Sequence, residues 1–184
     1  MPRRVCLILA MLLFASSVAQ ARARCVPVPH AMEDVAALNA FWGRTVRLCR
    51  LPDGSEDAYA EPERGRVMVD QSWLDAIARR YGGWAATGIL AHEWGHMVQG
   101  DVDGTAAELQ ADCLAGLFLR GIGQPGSTVE QFAASNHVSG DQHWSMDGHG
   151  TSAQRVAAAW RGYRRYAGDR SRVALRSVCP ASPR

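Results

Sequence analysis

The sequence predicts a mainly helical α+β domain in which a small antiparallel sheet lies over a helix carrying His92-Glu93-Trp94-Gly95-His96. Three observations point there. Strand-like segments are confined to residues 44–69, helical spacing takes over from Asp70, and 184 residues suit one domain with a single core.

The elements follow in order. Residues 33–43 place Val35, Leu38 and Phe41 or Trp42 on one side of a helix. Val46, Leu48 and Cys49 alternate with arginines between Arg44 and Leu51, as in a half-buried strand, before the turn Pro52-Asp53-Gly54-Ser55. Ala58-Tyr59-Ala60 and Arg66-Val67-Met68-Val69 read as two further short strands. Asp70 or Ser72 can cap a helix running to Tyr81, which Gly82-Gly83 ends. Further helices are predicted over Trp84–Gln99, Thr105–Arg120 and Thr128–Asn136, and a Gly-, His- and Asp-rich loop over His137–Gly150. Thr151 and Gln154 have capping-box spacing for a last helix to Ala167, whose stripe of Val156, Trp160 and Tyr163 reads as core.

Residues 1–23 read as a signal peptide and 24–184 as the domain. Arg3 and Arg4 precede an apolar run, Val5 to Phe14, and small-residue sites follow at Ala19-Gln20-Ala21 and Ala21-Arg22-Ala23. The run is shorter than the ~20 residues a membrane-spanning helix needs. An uncleaved anchor is the alternative, and Arg24 before Cys25 does not fit a lipoprotein cleavage box. Cleavage at the first site removes two arginines and no acid, turning the formal charge of +2 into neutrality. A neutral chain has no global electrostatic reason to bind nucleic acid, and the arginines of the last third read as a solvated helix face. The expected location is therefore secreted or periplasmic. Four cysteines remain, Cys25, Cys49, Cys113 and Cys179, enough for two disulfides in an oxidising compartment. Of the three connectivities we favour Cys25–Cys49 with Cys113–Cys179, a free buried Cys113 being the alternative.

Two residues four apart on a helix point the same way about 6 Å from each other. His92 and His96 can therefore share one metal ion, with zinc the default for such donors. Glu93, about 100° round the helix, falls beside the open coordination position, where its carboxylate can take a proton from a metal-activated water. Ile89, Leu90, Trp94, Met97 and Val98 surround the motif, and buried imidazoles without partners would be costly. Gly95, mid-helix, costs about 1 kcal/mol relative to Ala, which close approach of another backbone would explain.

Twelve residues after His96, Glu108 and Asp112 again lie four apart, on the next helix. Two antiparallel helices would turn this pair toward the histidines, with Glu108 on the metal and Asp112 holding the second N–H of a histidine. Thr105-Ala106-Ala107-Glu108 also fits a capping box, which would fold Glu108 back onto Thr105 unless Asp103 is the cap. Asp101, Asp103, His143 and His149 are the alternative third ligands.

The runs AHEWGHMVQ (91–99), ELQADCLAG (108–116) and HGTSAQR (149–155) together resemble the neutral zinc metallopeptidase family, allied to the glutamate-liganded zincins, the gluzincins. The resemblance covers about residues 58–167, and three motifs in order are more specific than one. It implies a single zincin-like domain, Zn2+ held by His92, His96 and Glu108, Asp112 as the partner behind a ligand, and polypeptide substrates. It further implies that Val67-Met68-Val69 is the edge strand above the cleft and that His149 stands near the oxyanion as a catalytic group. The connection between His96 and Glu108, 11 residues, is shorter than in many relatives, which bears on the groove more than on the ligands. Arg155 reads as a structural ion pair.

The expected function is an exported zinc metallopeptidase with no nucleic-acid partner and no stable membrane insertion. Two alternatives stand beside it: a zinc hydrolase acting on a non-protein amide, and a catalytically silent zinc-stabilised binding module.

Overall fold

The computed structural model describes residues 25–181, so the signal-peptide expectation lies outside the described residues. The described chain is mainly helical, with seven α-helices and one three-stranded sheet among those residues. None of its helices is long and apolar enough to cross a membrane.

A 3-10 turn at Pro29–Ala31 leads into α1, Met32–Trp42, which Gly43 ends in the left-handed conformation. Strands β1 (Arg47–Arg50), β2 (Ala58–Glu61) and β3 (Arg66–Val69) form a sheet of order β1-β3-β2. β2 and β3 are antiparallel, but β1 runs parallel to β3, with Leu48 beside Val67 and Cys49 beside Met68. The expected antiparallel sheet is thus a mixed one. Val67-Met68-Val69 is also not an edge: it is the buried central strand, and β2 is the edge that faces the histidine helix side. The continuous apolar run of β3 suits a strand covered on both faces, whereas β2 keeps Tyr59 exposed.

The helical layer begins with α2, Gln71–Tyr81. Asp70 caps it, its Oδ1 accepting from the Ser72 and Trp73 amides. Then come α3 (Gly83–Gln99), α4 (Gly104–Gly121), α5 (Gly126–Ser139) and α6 (Ser152–Arg165), the last entered through the predicted Thr151/Gln154 capping box. A short α7, Arg172–Val178, follows, which the sequence pattern did not suggest. α5 extends three residues past its predicted end, into the segment read as loop.

α4 is the centre of the core, with Leu114, Leu117, Phe118 and Leu119 almost inaccessible. Its neighbours approach it backbone to backbone. A Cβ on Gly95 would lie 2.9 Å from Ala111 Cα, which is the close approach expected to explain a glycine in the middle of α3. On the other flank a Cβ on Gly116 would meet Ala159 O at 1.9 Å, and one on Gly162 would meet Cys113 O at 1.8 Å. Backbone atoms cannot yield as a flexible side chain can, so α3, α4 and α6 hold fixed separations. Asn39 ties the other layer on. Its side chain pairs with Val46 N and O and accepts from the indole of the fully buried Trp94.

Disulfides join Cys25 to Cys49 and Cys113 to Cys179, the favoured pairing, and suit an oxidising compartment. They close stretches of 24 and 66 residues. The chain-entropy relation assigns them about 3.5 and about 4 kcal/mol. Replacing Cys113 and Cys179 by Ala should therefore lower unfolding free energy in urea more than replacing Cys25 and Cys49. Equal or reversed losses would contradict the ranking.

Candidate metal centre

The site grows from one turn of α3 and one turn of α4. His92 and His96, four apart, put both imidazoles on the face of α3 that meets α4. Glu108 and Asp112, four apart, put both carboxylates on the opposing face. Asp103, not Thr105, is the residue before α4, and the Thr105 hydroxyl donates instead to Ser145 O and Gly148 O. The competing capping box is therefore absent, and Glu108 faces the histidines.

Nε2 of His92 lies 3.1 Å from Nε2 of His96. Glu108 Oε2 is 3.3 Å from His92 Nε2, and its Oε1 is 3.4 Å from His96 Nε2. Donors about 2.0–2.1 Å from a tetrahedral ion sit about 3.3 Å apart, and each imidazole nitrogen stands about that far from the other and from one of the two Glu108 oxygens. Among the described residues these three form the one group of His, Cys, Asp or Glu close enough to share an ion. Of the alternatives, Asp101, Asp103 and His149 line the adjoining cavity without joining the group, and His143 does neither.

Asp112 explains the orientation of His92. Fully buried, it lies 2.8 Å from His92 Nδ1 and accepts from Asn136 Nδ2 at 2.8 Å and from Arg155 Nε and Nη2 at 2.8 and 3.0 Å. Burial alone would raise the Asp112 carboxyl, but the Arg155 guanidinium and His92 outweigh it and hold it below its ordinary value. An ionised carboxylate only accepts, so His92 Nδ1 carries the proton. With a neutral imidazole, Nε2 then presents a lone pair to the Glu108 carboxylate, two acceptors with room for a cation between them. Arg155 is the ion pair expected of it. Asn136, by contrast, escaped the sequence reading, because it fell on the last residue of a predicted helix with nothing to mark its direction.

Burial opposes the His92 imidazolium, yet the charge of Asp112, its hydrogen bond and Glu108 together raise His92 to about 10 in the metal-free site. Burial, against the help of Glu108, lowers His96. Glu108, though partly buried, is held far below the usual carboxylate range by its bonds to both histidines. Glu93 is pushed up to about 8, first by burial, with His92 opposing and Glu108 and Asp57 adding.

Ion binding at neutral pH should therefore release close to two protons, about one from His92 and most of one from Glu93 as the positive charge draws its carboxyl down. Calorimetry in buffers of different ionisation enthalpy counts them, and release near zero would refute the assignment. Without the ion, the raised His92 value stabilises the fold fully below the unfolded value near 6.5, and this contribution is lost as pH climbs through about 10.

The group opens on a cavity of about 930 Å³, walled by Asp57–Ala60, by α3, by the α3–α4 connection and by α5. Glu93 lines it, 6% exposed and with no hydrogen bond among the described residues. His149 lines it too, with its side chain 64% exposed and Nδ1 3.8 Å from Asp141 Oδ1. Asp141 Oδ2 accepts from the amides of His149 and Gly150, fixing that loop beside the cavity mouth.

Comparison of the chain with family models, with curated proteins and with solved structures returns no match.

Proposed function

We propose that the protein is an exported zinc-dependent metallopeptidase of the gluzincin type, its ion held by His92, His96 and Glu108. The observation that carries this reading is the convergence of two imidazole nitrogens 3.1 Å apart, each with one Glu108 oxygen at 3.3 or 3.4 Å, beside a Glu93 carboxylate that makes no hydrogen bond among the described residues and lines an open cavity. A purely structural site has no use for a base next to an open position.

A bound divalent ion would supply Lewis acidity, acidifying a water and polarising the scissile carbonyl. The chain's own groups do the rest. Asp112 keeps the proton of His92 on Nδ1, leaving Nε2 as the donor atom, and Arg155 and Asn136 keep Asp112 in place. The Glu93 carboxylate takes a proton from the attacking water as its oxygen forms the new bond to the carbonyl carbon. Glu93 then delivers that proton to the amide nitrogen as the carbon–nitrogen bond breaks. His149 donates to the oxygen on which negative charge develops.

Polypeptides fit this cavity because β2 is a sheet edge on its wall. Ala58, Tyr59 and Ala60 offer backbone groups to an extended chain, and side chains of that chain can enter the cavity. The test is metal analysis with peptide cleavage: about one ion per chain, hydrolysis lost to a chelator and regained with zinc. A loaded protein that cleaves no peptide would favour a silent binding module.

A further inference from the structure

Resting on the peptidase reading, we propose that the cleft selects substrates carrying Lys or Arg beside the scissile bond, with Asp57, Asp101 and Asp103 setting that specificity. Two separate segments bring carboxylates to the cavity. Glu56 and Asp57 lie on the approach to β2, and Asp101 and Asp103 on the connection from α3 to α4. All four are exposed, and among the described residues none of their side chains makes a hydrogen bond or an ion pair.

The cationic side chains on the wall do not balance them. Arg155 is bound to Asp112, and Arg44 donates to Met97 O at the end of α3. Glu93 and Glu108 together match the two charges of a divalent ion, which leaves Glu56, Asp57, Asp101 and Asp103 facing Arg44 alone. The domain as a whole is near neutral once the signal segment is removed, so this imbalance belongs to the cleft and not to the protein at large. A second observation points to a ligand in the same space: Glu93, a residue only 6% exposed, lines the cavity and makes no hydrogen bond among the described residues.

The backbone that carries Glu56 and Asp57 is also held in position. The buried Asp70 accepts from Gly54 N and Glu56 N at 2.8 and 3.0 Å, and its own amide donates to Asp57 O at 2.9 Å. Glu56 sits there at φ 51°, a conformation a non-glycine residue keeps only when its surroundings impose it. Asp57 directly precedes the edge strand that would pair with a substrate, so its carboxylate falls beside the residues nearest the cut. A low-dielectric cavity of one sign raises the local concentration of cationic chains and penalises anionic ones.

Exposed ion pairs each contribute a factor of about 1.5–5, so two or three acting together give a preference on the order of tenfold at low salt. Screening should shrink it at about 0.5 M NaCl, where charges act over only a few ångströms.

The experiment uses peptides of one length with Lys, Gln or Glu on either side of the cleaved bond. It measures kcat/KM with the wild type and, separately, binding by fluorescence anisotropy to full-length Glu93→Gln. Both are repeated with Asp57→Lys, Asp101→Lys and Asp103→Lys combined; all three side chains are exposed, so the fold should survive, and circular dichroism checks it. The expected result is about tenfold preference for Lys over Glu in both measurements, lost or inverted in the combined variant. Indifference to peptide charge, or a preference the three substitutions leave unchanged, would overturn the inference. Charge-selective binding without any cleavage would sink the peptidase reading while upholding the cleft's selection of cationic chains, and charge-blind cleavage would uphold the peptidase reading and overturn the selection.

Discussion

Glu93→Gln should lower kcat/KM for peptide cleavage by roughly 10²–10⁴-fold while the metal content stays at the wild-type level. The two side chains have nearly the same shape, and Glu93 makes no hydrogen bond among the described residues, so the exchange breaks no contact. What disappears is the ability to accept a proton. The same variant carries a stability signature with a definite sign. In the metal-free wild type the Glu93 value is raised from 4.5 to about 8, first by burial, so folding loses stability as pH rises through that window. Glutamine does not ionise. The metal-free variant should therefore melt above the metal-free wild type at pH 8 and together with it at pH 4. Thermal denaturation at the two pH values checks this, and loss of metal by the variant would show instead that Glu93 acts as a ligand.

Asp112→Ala should both destabilise the metal-free fold and weaken ion binding. It leaves the Arg155 guanidinium buried without its carboxylate, removes the acceptor for Asn136 and frees the ring of His92. Breaking a buried pair in this way costs about 3–5 kcal/mol. Loss of the partner behind a metal-binding histidine weakens ion affinity about 10–100-fold. Chemical denaturation of the metal-free protein isolates the first effect and zinc titration the second. The double variant Asp112→Ala with Arg155→Met should recover stability but not affinity, because it removes the stranded charge while His92 stays unheld. Recovery of both would show that Asp112 serves only as a counter-ion.

The histidine and carboxylate pairs were legible in the sequence because both depend on a four-residue repeat within one helix, which tertiary context does not alter. The same holds for the Thr151/Gln154 cap, whose partners are three residues apart. What depended on distant partners was less legible. The short segments 47–50, 58–61 and 66–69 mark strands, but pairing is a matter of register and order, and nothing local says that β1 passes β2 to lie parallel to β3. Choosing Val67–Val69 as the edge failed for that reason. Its four consecutive buried residues were a usable sign of a central strand. α7 has only seven residues, capped by Ser171, and Cys179, just past its end, is fastened to α4. Asp70 reads as a helix cap, which it is, but its second oxygen holds the 54–56 turn, a contact the sequence did not signal.

The glycine contact between α3 and α4 bears on how the protein would acquire the proposed ion. Backbone meets backbone at Gly95, so the gap between the helix of the imidazoles and the helix of the carboxylate is set during folding by main-chain atoms, while Gly116 and Gly162 fix α6 against the far side of α4. Loading is then capture by a ready-made clamp, unlike small zinc modules that collapse around their metal. The ion should raise the melting temperature only by mass action, in proportion to the logarithm of its concentration, and stripping it should leave an intact, refillable scaffold.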